Sequence, residues 1–335
     1  MRLVAAVVIG LLLLALPAAA SAATFLPPAE KVYWGGQGGY SQAHIRDFAQ
    51  QSGKHPAVFN YFISWRSSES SFHWLSYRLA DARAQNTAAM LSVAPEDTGL
   101  APRDLAQGKG DAFLLGLNRL LAEHGRVVFL RPLSEMNNAN NPYAPYDLSG
   151  RSRGPANAAG QLRNAWRRLA LITRGGAVAA MDAKLRRLHM PPVRTAAAEL
   201  PRSAVALMWV PLSFGNPEIA RNHPRHFWPG AQYVDWVGTT WYSPYKASQA
   251  MHSFYSYPLW RKKPFAFPEW GIWGRDDPGF VRQFFGFVKT HPRVRMAVYY
   301  QSALLESEFR LSTHPGSRAA LRQAMRWPRL TGVAP

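Results

Sequence analysis

Two carboxylates stand where this chain could do chemistry. Glu135 lies in the run Arg131-Pro132-Leu133-Ser134-Glu135-Met136-Asn137-Asn138, and Glu269 in Pro264-Phe265-Ala266-Phe267-Pro268-Glu269-Trp270-Gly271. Each follows an apolar, strand-like stretch and opens onto polar or aromatic residues, in a chain with 20 acidic residues against 39 basic ones. A pair of carboxyl groups facing one cleft can break a glycosidic bond: one gives a proton and later takes one, and the other attacks or activates water. The alternative is structural, with each glutamate capping a helix or pairing with an arginine. A strand end beside aromatic rings is a poor place for a purely structural acid. Other chemistries are poorly supplied. There is no cysteine, which excludes thiol catalysis and cysteine-ligated metal. The ten histidines form no HExxH motif and no close cluster with Asp or Glu, so neither metal nor cofactor is expected.

The fold must bring these two positions together. Short β-like runs recur at residues 31–34, 57–63, 87–93, 127–131, 204–211, 233–240, 264–268 and 294–301. Helical spacing follows at 41–52, 74–84, 111–123, 156–172 with 178–188, 217–221, 247–255, 278–290 and 317–326. Such alternation predicts an α/β fold, a single (β/α)8 TIM barrel of parallel strands. The C-terminal strand ends of a barrel share one mouth, so Glu135, just past the fourth strand, and Glu269, just past the seventh, would meet there. An open doubly wound sheet competes with this reading, because Gly35-Gly36-Gln37-Gly38-Gly39 follows the first strand. Its spacing is not GxGxxG, and it reads better as a turn giving a ligand access. Segments 137–159 and 188–203 are expected to be long loops within one domain, and long loops at a barrel mouth are usually functional. Trp34, Trp65, Trp209, Trp241, Tyr242, Tyr245, Trp270, Trp273, Tyr299 and Tyr300 all fall at or just past strand ends, where flat rings could stack on sugars.

Residues 1–22 read as a cleavable export signal: Arg2, an apolar run, and small residues ending in Ala20-Ser21-Ala22. The apolar run is shorter than the roughly 20 residues of a spanning helix. The expected mature chain is therefore 23–335, one catalytic domain, secreted, periplasmic or held at the cell surface, with no transmembrane segment and as a monomer. The formal charge of +19 suits contact with an anionic glycan or wall polymer. No nucleic-acid-binding motif accompanies it, so no specific nucleic-acid partner is expected.

On these residues the chain resembles glycoside hydrolase family 26, the β-mannanase family of the retaining (β/α)8 clan, over most of its expected mature length. Residues 131–138 match the family's fourth-strand motif, which carries the acid/base. Lys263-Pro264 through Glu269-Trp270-Gly271 match its seventh-strand motif, which carries the nucleophile. Met208-Trp209-Val210-Pro211 and Tyr233-Val234-Asp235-Trp236-Val237-Gly238 extend the likeness, and Tyr242 fits the aromatic residue that hydrogen-bonds the nucleophile. The resemblance implies Glu135 as acid/base and Glu269 as nucleophile in a double displacement on β-mannan, a related β-glycan or an exopolysaccharide. Arg131, Asn137, Trp209, Trp241, Tyr242, Trp270 and Tyr300 are the candidate polysaccharide-binding residues. Two positions depart from the family pattern: Ser134 stands where it usually has histidine, and Asn138 where it usually has glycine. The basic charge admits an acidic or modified exopolysaccharide as substrate. Two other readings stay open, a barrel-shaped carbohydrate-binding protein without catalysis and a basic surface protein that binds wall polymers through its arginines.

Overall fold

The computed structural model of the protein describes residues 25–245 and 248–335; the expected export signal at 1–22 lies outside them. Eight parallel strands form the centre: β1 (Val32–Gln37), β2 (Val58–Ser64), β3 (Ala88–Ala94), β4 (Val128–Pro132), β5 (Val205–Trp209), β6 (Trp236–Tyr242), β7 (Phe265–Gly271) and β8 (Val294–Tyr300). Each pairs with the next in sequence, and β8 returns to pair with β1 through Tyr33 and Met296 to Gln37 and Tyr300. The sheet is thus closed into a barrel with a single mouth at its C-terminal strand ends. The two-residue strand Leu330–Thr331 also runs beside β1.

Alternation along the strands divides the core in two. Tyr33, Val58, Met90, Phe129, Ala206, Met208, Trp236, Ala266 and Met296 belong to one buried cluster. Tyr33 on β1 and Trp236 on β6 both meet Phe129 on β4, with centroids 6.0 and 5.8 Å apart. Strands so far apart in the ring can touch only through the lumen, so this cluster fills the barrel. The larger cluster joins the outward residues to the helices, for example Phe48, Leu75, Leu117 and Phe284. Strands covered on both faces are nearly continuous apolar runs, which is why all eight are visible in the sequence.

Several helices begin where a side chain meets a free amide. The Ser68 hydroxyl accepts from Ser71 N at 3.2 Å, so the second helix starts at Glu69 (Glu69–Ala84), earlier than the expected residue 74. Asp277 accepts from Phe280 N at 2.9 Å and starts Pro278–Thr290. The helix expected at 217–221 is absent. That stretch is loop with short 3-10 turns at Ala220–Asn222 and Pro224–Phe227, since prolines at 217 and 224 leave little room for an α-helical ladder. The glycine segment is also corrected: Gly35, Gly36 and Gln37 belong to β1, and a β-carbon at Gly36 would lie 2.2 Å from the Phe48 ring.

The loop 188–203 leads from a helix into the start of β5, so it lies at the end of the barrel opposite the mouth. It is held by a buried ion pair. Arg168 donates to both Asp111 oxygens at 2.6 and 2.5 Å and to the carbonyls of Pro191 and Pro192 at 2.7 and 2.8 Å. Among the described residues no helix is long and apolar enough to cross a membrane.

Candidate active site

Glu135 is presented by a tight turn after β4. Leu133 and Glu135 both take left-handed backbone angles, φ 48° and 51°, a conformation that costs residues other than glycine about 1–2 kcal/mol each. The neighbouring strands hold the turn there. Leu133 N donates to Val93 O at 2.9 Å and Glu135 N to Val210 O at 2.7 Å. From the following loop, Tyr143 donates to Ser134 O at 2.6 Å, and Asn141 donates to the carbonyls of Ser134 and Glu135. The carboxylate itself accepts from Asn138 Nδ2 at 2.8 Å and bonds to the Thr240 side chain of β6.

Glu269 is aimed by an irregularity in β7. Between Ala266 and Glu269 that strand takes three residue steps, while Gly238 to Thr240 on β6 takes two. The same extra residue appears against β8, where Ala297 and Tyr299 pair with Phe267 and Trp270. Ala266 points into the lumen, so an unbroken pleat would turn Pro268 and Trp270 inward. The bulge reverses the phase and turns Glu269 inward instead. Pro268 sits in the bulge, where its missing N–H costs no ladder bond. Gly238 makes room opposite, since a β-carbon there would stand 2.7 Å from Ala266 O and 2.9 Å from Pro268 Cδ. Glu269 therefore lies within β7, not beyond its end as expected.

Once inside, Glu269 is gripped from two sides. Arg131 Nη1 donates to its Oε2 at 2.5 Å and the Tyr242 hydroxyl to its Oε1 at 2.5 Å. Arg131, only 1% exposed, lies beneath the floor of the cleft. Burial, and next the Glu269 charge, push the Tyr242 phenol well above its ordinary pKa, so it keeps its proton and donates. Burial also raises the Glu135 pKa, and the Glu269 charge adds to it; Arg131, Asn138 and Thr240 act the other way. Two carboxyl groups thus share a cleft in unlike settings, one kept protonated to higher pH and one met by a cation and a phenol. This is the division between a proton donor and a nucleophile or base.

Both glutamates line one cleft of about 520 Å3. Its walls include Phe62, Tyr242, Tyr245, Trp273, Tyr300 and Phe309 on one side and Asn138, Asn140, Ser213 and Asn216 on the other. Of the expected binding residues, Tyr242 and Tyr300 reach it. Arg131 acts on Glu269 from below.

Four others are corrected. Trp209 and Trp270 are fully buried on the helix side of their strands. Trp209 packs on Trp228 and Trp260 at 5.0 Å, and Trp270 stacks on Phe284 at 3.6 Å. Trp241 borders the cleft, but its ring is enclosed by Phe267, Phe280 and Phe287 and its N–H is spent on Tyr245 O at 2.9 Å. Asn137 is buried too, and it exchanges two hydrogen bonds with the Leu212 backbone, at 3.0 and 2.8 Å. Its role is to fix the far wall. Trp34, Trp65 and Tyr299 are likewise core residues.

The sequence reading missed Asn138 and Thr240 as partners of Glu135, and Phe62 and Phe309 as wall residues. The signal for Asn138 was its place three residues past Glu135 in a tight polar turn. Among the described residues, no group of three or more His, Asp or Glu side chains converges as metal ligands would.

No family model matches the chain. Endoglucanase H of Acetivibrio thermocellus is 27% identical over 113 residues, which are 34% of this chain and only 12% of that protein's length. Solved structures share the fold across nearly the whole chain. A GH26 β-mannanase from Bacteroides ovatus superposes with a TM-score of 0.59 at 17% identity, covering 91% of each chain. GH26A from a Muricauda species gives 0.58 at 14% identity over 90% of this chain and 91% of that one. A GH26 endo-β-1,4-mannanase from a Bacillus species gives 0.56 at 14% identity over 91% and 87%. The likeness carried by the two glutamate motifs thus extends to the architecture of the barrel.

Proposed function

We propose that this chain is a retaining glycoside hydrolase that cleaves a neutral β-linked polysaccharide, β-mannan or a related β-glycan, with Glu135 as acid/base and Glu269 as nucleophile. One observation carries the reading: Glu135 and Glu269 face the same cleft in opposite electrostatic settings. In the first step Glu135 gives its proton to the glycosidic oxygen while a Glu269 oxygen attacks the anomeric carbon; the leaving chain departs as an alcohol. In the second, the Glu135 carboxylate takes a proton from water, and the hydroxide so formed displaces Glu269 from the sugar. The second attack restores the original anomeric configuration.

The charge of the cleft supports a neutral chain over an acidic one. Its described lining includes the carboxylates Glu135, Glu218 and Glu269 but no Lys, Arg or His, so an anionic sugar would meet repulsion without a counter-charge. The exposed basic residues then belong to the outer surface, where they suit an anionic matrix around the enzyme. The pattern of residues 1–22 supports export of the chain to that setting.

The test is hydrolysis of soluble β-mannan and β-glucan, followed by reducing-end release and by the anomeric proton resonances of the first product. Initial release of the β-anomer supports the proposal. Initial α-anomer would make Glu269 a water-activating base, and retardation in a mannan gel without any cleavage would favour a binding protein. Azide should rescue Glu269→Ala as a glycosyl azide of inverted configuration and Glu135→Ala, if at all, as the retained one; an inverted azide from Glu135→Ala would exchange the two roles.

A further inference from the structure

The helix Glu69–Ala84 buries Leu75, Leu79 and Ala82 against the barrel. Its other face would ordinarily be polar. It carries Trp74 and Tyr77 instead, 58% and 48% exposed, three residues apart on one face with ring centroids 6.0 Å from each other. Beside them lies Tyr40, 44% exposed, from the loop after β1. One cation fixes the group: the Arg78 guanidinium lies 5.2 Å from the Tyr40 ring centre and 5.5 Å from that of Trp74, and it donates to the Tyr40 carbonyl.

This patch lies on the side of the barrel where Phe62 and Tyr300 wall the cleft. Phe62, 38% exposed, packs edge-on against Tyr300 at 6.5 Å, and both rings line the cleft. Tyr40 is close enough to Tyr300 to add to the upward shift of its phenol, after burial and Glu269. Aromatic faces therefore occur on the cleft wall, at Tyr40 and on the outer face of the helix, all on the β1–β2 side of the barrel. A neutral polysaccharide offers no charge to grip, and flat rings beside its C–H faces, with a guanidinium to donate hydrogen bonds, are what can hold it.

We propose that Tyr40, Trp74 and Tyr77 form an outer platform that binds the stretch of polysaccharide extending beyond the cleft on its β1–β2 side. The proposal rests on reading the cleft as a polysaccharide site. A second contact on the same polymer strengthens binding of long chains and leaves short ones untouched.

The test compares the double variant Trp74→Ala/Tyr77→Ala with the native protein. Both residues are exposed, so the melting curve should be unchanged. Expected are a KM for long soluble β-mannan raised about tenfold, weaker retardation in a mannan-containing gel, and an unchanged kcat/KM on a short aryl glycoside. Equal losses on both substrates, or no change on the polymer, would overturn the platform. A native dimer that the variant abolishes at equal polymer affinity would do the same, assigning the patch to a second copy. The gel separates the two readings: if the native protein is retarded but cleaves nothing, and the variant runs free, the platform stands and hydrolysis falls. Native protein that no β-glycan retards overturns the platform as well.

Discussion

Gly238 and Pro268 meet across β6 and β7 at a distance that leaves no room for a side chain: a β-carbon on Gly238 would lie 2.9 Å from Pro268 Cδ. The bulge that turns Glu269 into the lumen exists only because its neighbour is bare.

Gly238→Ala should therefore act on activity from inside the sheet. The added methyl must push Pro268 or the Ala266 carbonyl aside, and a shift near 1 Å at Glu269 lowers kcat by about 10²-fold. Steady-state kinetics beside near-ultraviolet circular dichroism measures this; a folded variant with native kcat would show that the bulge does not set the working position of Glu269.

Tyr242→Phe removes one donor and keeps the ring, which packs on Trp273, Tyr300 and Phe309 at 5.9, 6.0 and 5.8 Å. Loss of a hydrogen bond to Glu269, the nucleophile proposed above, should lower kcat by about 10²-fold with little change in KM. A fall confined to KM would assign Tyr242 to sugar binding alone.

The pH profile should report Glu135. The acid must be protonated to act, so kcat/KM falls as pH rises through its raised pKa. Asn138 donates to the charged form and holds that pKa down, so Asn138→Ala should move the alkaline limb to higher pH, by up to about one unit. An unmoved limb would mean that another group controls it.

Stability should carry the same signature with the sign of a raised carboxyl pKa. The folded state holds the Glu135 proton to higher pH than the unfolded chain does, so stability falls as pH rises from the unfolded pKa through the folded one. Glu135→Gln removes this penalty. Its melting temperature should exceed that of the native protein near pH 7 and match it near pH 3, below both values; a gain independent of pH would place its cause elsewhere.

Arg168→Met tests the end opposite the mouth. It leaves Asp111 buried without its cation and should cost about 3–5 kcal/mol, read by urea unfolding, while KM at a permissive temperature stays native. A loss below about 1 kcal/mol would mean that the Arg194 amide, which donates to Asp111 at 2.9 Å, suffices.

The barrel and its two acids were legible in the sequence for different reasons. Doubly covered strands are long apolar runs, and Glu135 and Glu269 interrupt a chain poor in acids at the ends of such runs. What the sequence could not convey was the direction in which a side chain points. Trp270 and Glu269 are adjacent, both end the seventh run, and only the bulge at Pro268 decides which enters the lumen. Asn137 and Asn138 pose the same difficulty on a turn: one fixes Leu212 in the wall, the next bonds to Glu135. Phe309 escaped notice because its loop is placed by distant partners, Arg310 on Asp47 at 2.8 Å among them. Net charge, finally, carries no address, and +19 concealed a cleft lined with carboxylates.

The extra residue in β7 also bears on how relatives of this protein are classified. Carrying the same segment as an unbroken strand would leave both acids in the alignment and the barrel closed, yet would turn Glu269 toward the helices and Trp270 into the lumen, whereas losing one residue together with the bulge would leave Glu269 facing inward. Two glutamates in an alignment are therefore a poor filter by themselves: for the second to enter the barrel, its step count from the last lumen-facing residue must be even, or odd with a bulge between.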